Sequence, residues 1–153
     1  MRSICLPTTW QVTRSGACRY LMKGANMVGI VIVSHSEKLA ESIVDLTKMM
    51  ADGARIVAAG GLEDGSFGTS YERIKAAIDA VYSDEGVIIL MDMGSAVMTT
   101  EMVLEEYEEG SKIRMVDAPI VESAVAASVS ALCGNSLEEI IAEIEETKHA
   151  PKF

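Results

Sequence analysis

The sequence predicts a three-layer α/β/α domain built on a mainly parallel central sheet, and two observations carry that reading. Four short runs, residues 28–33, 55–59, 87–91 and 113–116, are dominated by apolar, largely β-branched residues, as strands covered on both faces are. Each run is followed by a segment whose apolar residues recur at helical spacing. Such an alternation implies parallel strands joined by right-handed crossovers, with helices on both faces. At 153 residues, 49% of them hydrophobic, the chain has enough apolar surface for one compact core.

The elements follow in order. The first strand, 28–33, runs straight into Ser34-His35-Ser36, and the next segment carries Leu39, Ile43, Leu46 and Met50 on one helical face, with Asp52-Gly53 as its stop. The second strand, 55–59, leads into a glycine-rich loop over 60–68. Thr69 or Ser70 then caps a helix that buries Ile74, Ala77, Ile78 and Val81. The third, 87–91, ends at Asp92. The helix after Gly94-Ser95 places Val97, Thr100, Leu104 and Tyr107 on one side and Glu101, Glu105, Glu106, Glu108 and Glu109 on a solvated opposite side. The fourth strand, 113–116, is followed by Pro119 and by residues 123–132, which are Ala/Val/Ser-rich nearly all round. That composition suits a buried helix or one packed on another subunit. Gly134 ends it, and Ser136 with Glu139 forms a capping box for a last helix presenting Leu137, Ile140, Ile141 and Ile144.

Composition breaks at Met27. Four of the 13 basic residues (Arg2, Arg14, Arg19, Lys23) and none of the 23 acidic ones precede it, so residues 27–153 carry nine basic against 23 acidic residues, a net of −14. Residues 1–26 are therefore expected to be a leader outside the domain, and 27–153 a single domain. An Arg-rich, acid-free leader also fits an organellar transit peptide. A start codon placed too early is favoured over it, because Lys23-Gly-Ala-Asn-Met27 can be encoded with a purine-rich ribosome-binding site just before Met27, which opens directly into the first strand.

Net charge of −10 argues against nucleic acid or an anionic membrane as partner, and no apolar stretch reaches the length of a membrane span. Three irregularly spaced cysteines give neither a disulfide framework nor a zinc site, so reducing cytoplasm is the expected compartment. The chain has no GxxxxGK[ST] or GxGxxG string, and so no nucleotide site or other cofactor of its own is expected.

In a parallel sheet the chemistry gathers at the carboxyl ends of the strands. The first strand delivers Ser34, His35 and Ser36 there, the second Gly60 and Gly61 with the loop to Thr69, and the third Asp92 to Ala96. His35 stands between a strand end and a helix amino terminus, where unpaired N–H groups and the positive dipole end favour an anion, phosphate above all. A neutral imidazole is a competent phosphoryl acceptor near neutral pH. It needs a carboxylate to hold its far nitrogen and donors for the phosphoryl oxygens. Asp92 is the candidate for the first role, with capping of the next helix as its alternative. Ser36, Thr69, Gly94 and Ser95 are candidates for the second, Ser95 being equally suited as an N-cap. Met91, Met93 and Met98 fit either core filler or an adaptable docking surface. The absence of a second histidine beside His35 disfavours a metal.

The strings Val31-Ile-Val-Ser-His-Ser36 and Leu90-Met-Asp-Met-Gly-Ser-Ala96 resemble the phosphotransfer (phosphohistidine) subunits of phosphoenolpyruvate-dependent dihydroxyacetone kinases. The likeness runs from Met27 to about Thr147 and includes Ala58-Ala-Gly60, Gly68-Thr69 and Ala118-Pro-Ile-Val-Glu122. Those subunits are themselves similar to mannose-type IIA domains of the sugar phosphotransferase system. The resemblance implies that His35 takes a phosphoryl group from the phosphocarrier protein HPr. It would pass the group to ADP on the nucleotide-binding kinase subunit, for use on dihydroxyacetone held by a third subunit. It also implies a homodimer, and Asp92 matches the family aspartate near the histidine. Some members carry fused phosphocarrier and enzyme I-like domains, which this chain is expected to find in separate partners; the basic leader has no counterpart.

Two other readings stand beside this one. A IIA component feeding a sugar transporter usually shows Gly-Gly-Ser-Pro after the aspartate, where this chain has Met93-Gly-Ser-Ala96. A regulatory module would instead use phosphorylated His35 to dock a transcription factor. A flavodoxin-like binding domain fits poorly, since aromatic content is only 5% and leaves few rings to stack on a flavin.

Overall fold

In the computed structural model, residues 26–149 and 151 are described, and they form four parallel strands and five helices. In chain order these are β1 (Gly29–Ser34), α1 (Glu37–Met50), β2 (Ile56–Gly60), α2 (Tyr71–Val81), β3 (Val87–Met91), α3 (Ser95–Leu104), β4 (Ile113–Val116), α4 (Ile120–Leu132) and α5 (Leu137–Thr147). Strand order is β2-β1-β3-β4, so the chain winds outward from β1 to β2 and crosses back to β3. The three-layer α/β/α architecture read from the sequence is borne out. The expectation of a leader concerns residues 1–26, of which 1–25 lie outside the described residues.

Side-chain alternation on the strands sorts the core into two layers. Ile30, Ile32, Ile88 and Leu90 face α1, α4 and α5, packing with Ala40, Ile43, Ala124, Ala127, Ile140 and Ile144. Val31, Val33, Val87 and Ile89 face the other way, onto Ile74, Ala77, Ile78 and Val81 of α2 and Ala96 and Val103 of α3. Both faces of β1 and β3 are dry, which is why their sequences are apolar without a break. Met27 is buried beside Ala51 and Leu132, so the described fold is already packed before β1 begins.

Ser36, Ser70 and Ser136 cap α1, α2 and α5 through their hydroxyls, the last in a full capping box. Three expectations need correction. On α1 the buried stripe is Ala40, Ile43, Val44 and Thr47, whereas Leu39, Leu46 and Met50 are exposed. The helix lies so close to the end of β2 that only a small residue fits between, and Ala40 occupies that place. Next, α3 stops at Leu104, three residues before Tyr107. The chain turns there, and Tyr107 stacks on Tyr82 and donates to Asp79 at 2.6 Å. Glu106 is likewise not solvated freely: it pairs with Lys75 at 3.0 Å and accepts from the Tyr71 hydroxyl. Finally, α4 begins at Ile120 rather than Ser123; it is the buried helix that its composition suits, with its Ala/Ser face covered by α1, α5 and the sheet.

Candidate active site

The parallel register pairs Val33 of β1 with Met91 of β3. One rung beyond, the Asp92 N–H donates to the Val33 carbonyl at 3.2 Å, so Asp92 and the Ser34-His35 step leave the sheet side by side. The carboxylate of Asp92 then collects four donors. Oδ2 accepts from the Ser34 hydroxyl and the His35 N–H, each at 2.9 Å. Oδ1 accepts from the His35 ring at Nδ1, 3.0 Å away, and from the Met93 N–H at 2.7 Å. Partial burial pushes the Asp92 pKa up, but these hydrogen bonds outweigh it and hold the group below the ordinary carboxylate range. Asp92 is therefore an anion at neutral pH and can only accept. That fixes the hydrogen of neutral His35 on Nδ1 and leaves Nε2 as an acceptor.

Nε2 faces the hydroxyl of Ser95, 2.8 Å away. Ser95 opens α3, and its Oγ lies 3.3 Å from Thr69 Oγ1, which in turn lies 3.1 Å from Thr99 Oγ1. The His35 side chain keeps 28% of its surface exposed, enough for a reacting group to reach the ring edge.

Two helix amino termini converge here from opposite faces of the sheet. His35 directly precedes the N-cap of α1, and Gly94 is the N-cap of α3, with no side-chain capping bond. Gly94 adopts φ 55° and ψ −117°, a left-handed backbone that favours glycine. The first amides of a helix have no intrahelical acceptor, so both termini present N–H groups and a positive dipole end toward the ring. On the β2 side, the Gly68 N–H donates to the His35 carbonyl at 2.9 Å and the Gly61 N–H to the Ser34 carbonyl at 3.1 Å. Arg73 of α2 clamps this edge, donating to Glu37 at 2.7 Å and to the Gly60 carbonyl at 2.8 Å.

Of the residues singled out from the sequence, His35, Asp92, Ser95, Thr69 and Gly94 are brought to one place. Ser36 is beside them: its hydroxyl caps α1 by accepting from the Leu39 N–H, which leaves the hydroxyl hydrogen to give, and its own N–H donates to Ser34 Oγ. Met93 and Met98 are exposed near the site, and Met91 is half-buried. Sequence reasoning placed Ser34 at this edge without giving it a role, and missed Thr99 and Arg73. Ser34 is the inward-facing residue that ends a buried strand, a signal visible in the alternation. Thr99 stands four residues after Ser95, one helical turn along α3. Arg73 carried no local signal, because its two partners come from other elements.

The geometry can be set beside known proteins. Residues 29–142 match the family model described as PTS system fructose IIA component. The chain is 38% identical over 121 residues to the phosphoryl donor subunit of PEP-dependent dihydroxyacetone kinase from Escherichia coli, covering 75% of this chain but only 26% of that protein. It thus spans about a quarter of that relative's length. It is 36% identical over 121 residues to the phosphoryl donor subunit of PEP-dependent dihydroxyacetone kinase 2 from Listeria innocua, covering 77% of this chain and 97% of that one. Among solved structures, phosphotransferase system component EIIA from Streptococcus agalactiae superposes with a TM-score of 0.62 at 17% identity, over 80% of this chain and 93% of that one, a likeness of fold. On the family match and on a relative matched along nearly its whole length, the chain belongs to the PTS system fructose IIA component family.

Proposed function

We propose that His35 carries a phosphoryl group on Nε2, taken from the phosphocarrier protein HPr and passed to ADP on the nucleotide-binding subunit of a dihydroxyacetone kinase. The observation that supports this most directly is the 3.0 Å contact of Asp92 with Nδ1, which turns Nε2 to the partly exposed edge of the ring. The lone pair of Nε2 attacks phosphorus, the bond from phosphorus to the donor nitrogen breaks, and that electron pair stays on the donor ring. No proton moves at Nε2, because the ring hydrogen sits on Nδ1. The phosphorylated ring is cationic, and Asp92, held as an anion by its four donors, stabilises that charge.

Ser95 and Thr69 hydroxyls, with the amides at Gly94 and Ser95, receive the phosphoryl oxygens, and the two helix termini add positive potential. The Ser36 hydroxyl, which caps α1 by accepting from the Leu39 N–H, keeps its own hydrogen to donate to the group. The absence of a nucleotide-binding loop suits a relay that meets ADP on its partner. The unit acting here is one domain from Met27 onward, working as a cytoplasmic homodimer. The names of the Escherichia coli and Listeria relatives support the kinase assignment over a sugar transporter component.

An intact-mass phosphate chase tests this on the full chain. Charged with phosphoenolpyruvate, enzyme I and HPr, the protein is expected to gain one phosphate and to lose it to the ADP-loaded kinase subunit. His35→Ala is expected to gain none. Phosphate retained by His35→Ala, or never acquired by the wild type, overturns the proposal. Phosphate acquired but not discharged rejects the kinase partner and keeps the acceptor.

A further inference from the structure

Resting on His35 as the acceptor, we infer that the hydroxyls of Ser95, Thr69 and Thr99 form a reversible hydrogen-bond chain that gates the Nε2 lone pair, with Thr99 a positioning residue acting through the other two. The contacts run from Nε2 to Ser95 Oγ at 2.8 Å, on to Thr69 Oγ1 at 3.3 Å and then to Thr99 Oγ1 at 3.1 Å. Each hydroxyl has a single hydrogen to give. Because Nε2 of the neutral ring only accepts, Ser95 donates to it. Thr69 must then donate to Ser95, and Thr99 to Thr69, for all three contacts to be hydrogen bonds. One direction along the chain is forced.

In that direction the lone pair that attacks phosphorus is occupied. The chain offers a way to release it without moving a heavy atom: all three hydroxyl hydrogens rotate, so that Ser95 donates to Thr69 and Thr69 donates to Thr99. This reversed state needs an acceptor at its far end, and Thr99 Oγ1 is that acceptor. Ser95 and Thr99 belong to the same helix face one turn apart, while Thr69 reaches them from the loop before α2, so the chain spans two elements. After capture, Ser95 turns back to donate to a phosphoryl oxygen.

The test uses potassium phosphoramidate, which needs no protein partner. Its nitrogen–phosphorus bond breaks as the Nε2–phosphorus bond forms, and the nitrogen departs as ammonia with its bonding electrons. Uptake by the full chain is followed by intact mass. Thr99→Val leaves the Thr69 hydrogen without its acceptor in the reversed state but only a spare lone pair on Thr69 in the forward one, so it is expected to slow uptake up to about fivefold, the scale of one neutral hydrogen bond, and Thr99→Ser to restore it. Thr69→Val, on a different element, is expected to slow it in the same way. In a Ser95→Ala background the Thr99→Val change is expected to have no further effect, since Thr99 acts only through Ser95.

A Thr99→Val protein as fast as wild type, or slowed equally with and without Ser95, overturns the inference and leaves the acceptor reading standing. No labelling of wild type at His35 overturns both.

Discussion

The carboxylate of Asp92 is the residue on which the site's electrostatics turn, because it takes two bonds from His35, one from Ser34 and one from Met93. An amide in its place must point hydrogens at some of those donors. Asp92→Asn is therefore expected to cut phosphate uptake about a hundredfold or more while the protein remains folded, with the ring tautomer change visible in histidine nitrogen NMR. The same bonds make a stability statement. Because the folded pKa of Asp92 lies below its ordinary value, its contribution is complete at neutral pH and is lost as pH falls through the depressed folded value. Ser34→Ala removes a donor to the charged form, so it is expected to cost about 2 kcal/mol at pH 7 and progressively less on acidification, measured by denaturant unfolding. A penalty that does not vary with pH would detach Ser34 from Asp92. Histidine and aspartate were legible from the sequence because strand ends are legible. Ser34 was legible as a strand-end residue but not in its role, which depends on an acceptor 58 residues away.

At the scale of elements, the sequence was informative wherever one residue type has one reason to be present. The Ser136–Glu139 capping box and the α2 face of Ile74, Ala77, Ile78 and Val81 stand as read. α1 departs from its pattern because small residues share its buried stripe while larger apolar ones face out. Its tightest neighbour is backbone: a Cβ on Gly60 would lie 2.5 Å from the Ser36 carbonyl oxygen and 2.8 Å from Glu37 Cα. Close approach selects Ala40 and leaves Leu39, one position away and about 100° round the helix, facing out. Gly60→Ala is consequently expected to destabilise the protein by about 2 to 3 kcal/mol and to slow phosphate uptake, since what must give way is the α1 terminus beside His35. An unchanged denaturation midpoint would contradict that packing. The end of α3 was unreadable for a different reason. Tyr107 continues a helical spacing, but its hydroxyl and ring find Asp79, Tyr82 and Lys75 only once the chain leaves the helix.

For the molecule as a whole, strand–helix alternation sufficed to read the layered architecture, and four predominantly apolar runs marked the strands to within a residue at each end. What alternation does not contain is the position of β3 beside β1 rather than beside β2, and that neighbour relation is what builds the site. Charge also acts at this scale. With a net of −14 over residues 27–153, docking of a basic phosphocarrier surface is expected to be steered by long-range attraction. Stopped-flow association should then slow about tenfold or more as salt rises from about 0.01 M to about 0.5 M, and a flat profile would point to contact chemistry alone.

The pairing of Val33 with Met91 has one more consequence. His35 and Asp92 are metered from the same rung, two residues along one strand and one along the other, so their separation is set by counting rather than by any helix or loop. Loops can lengthen and surfaces can drift without disturbing the pair, whereas a single residue inserted between Val33 and His35, or between Met91 and Asp92, puts it out of step. The spacing of that pair is fixed by arithmetic along two strands.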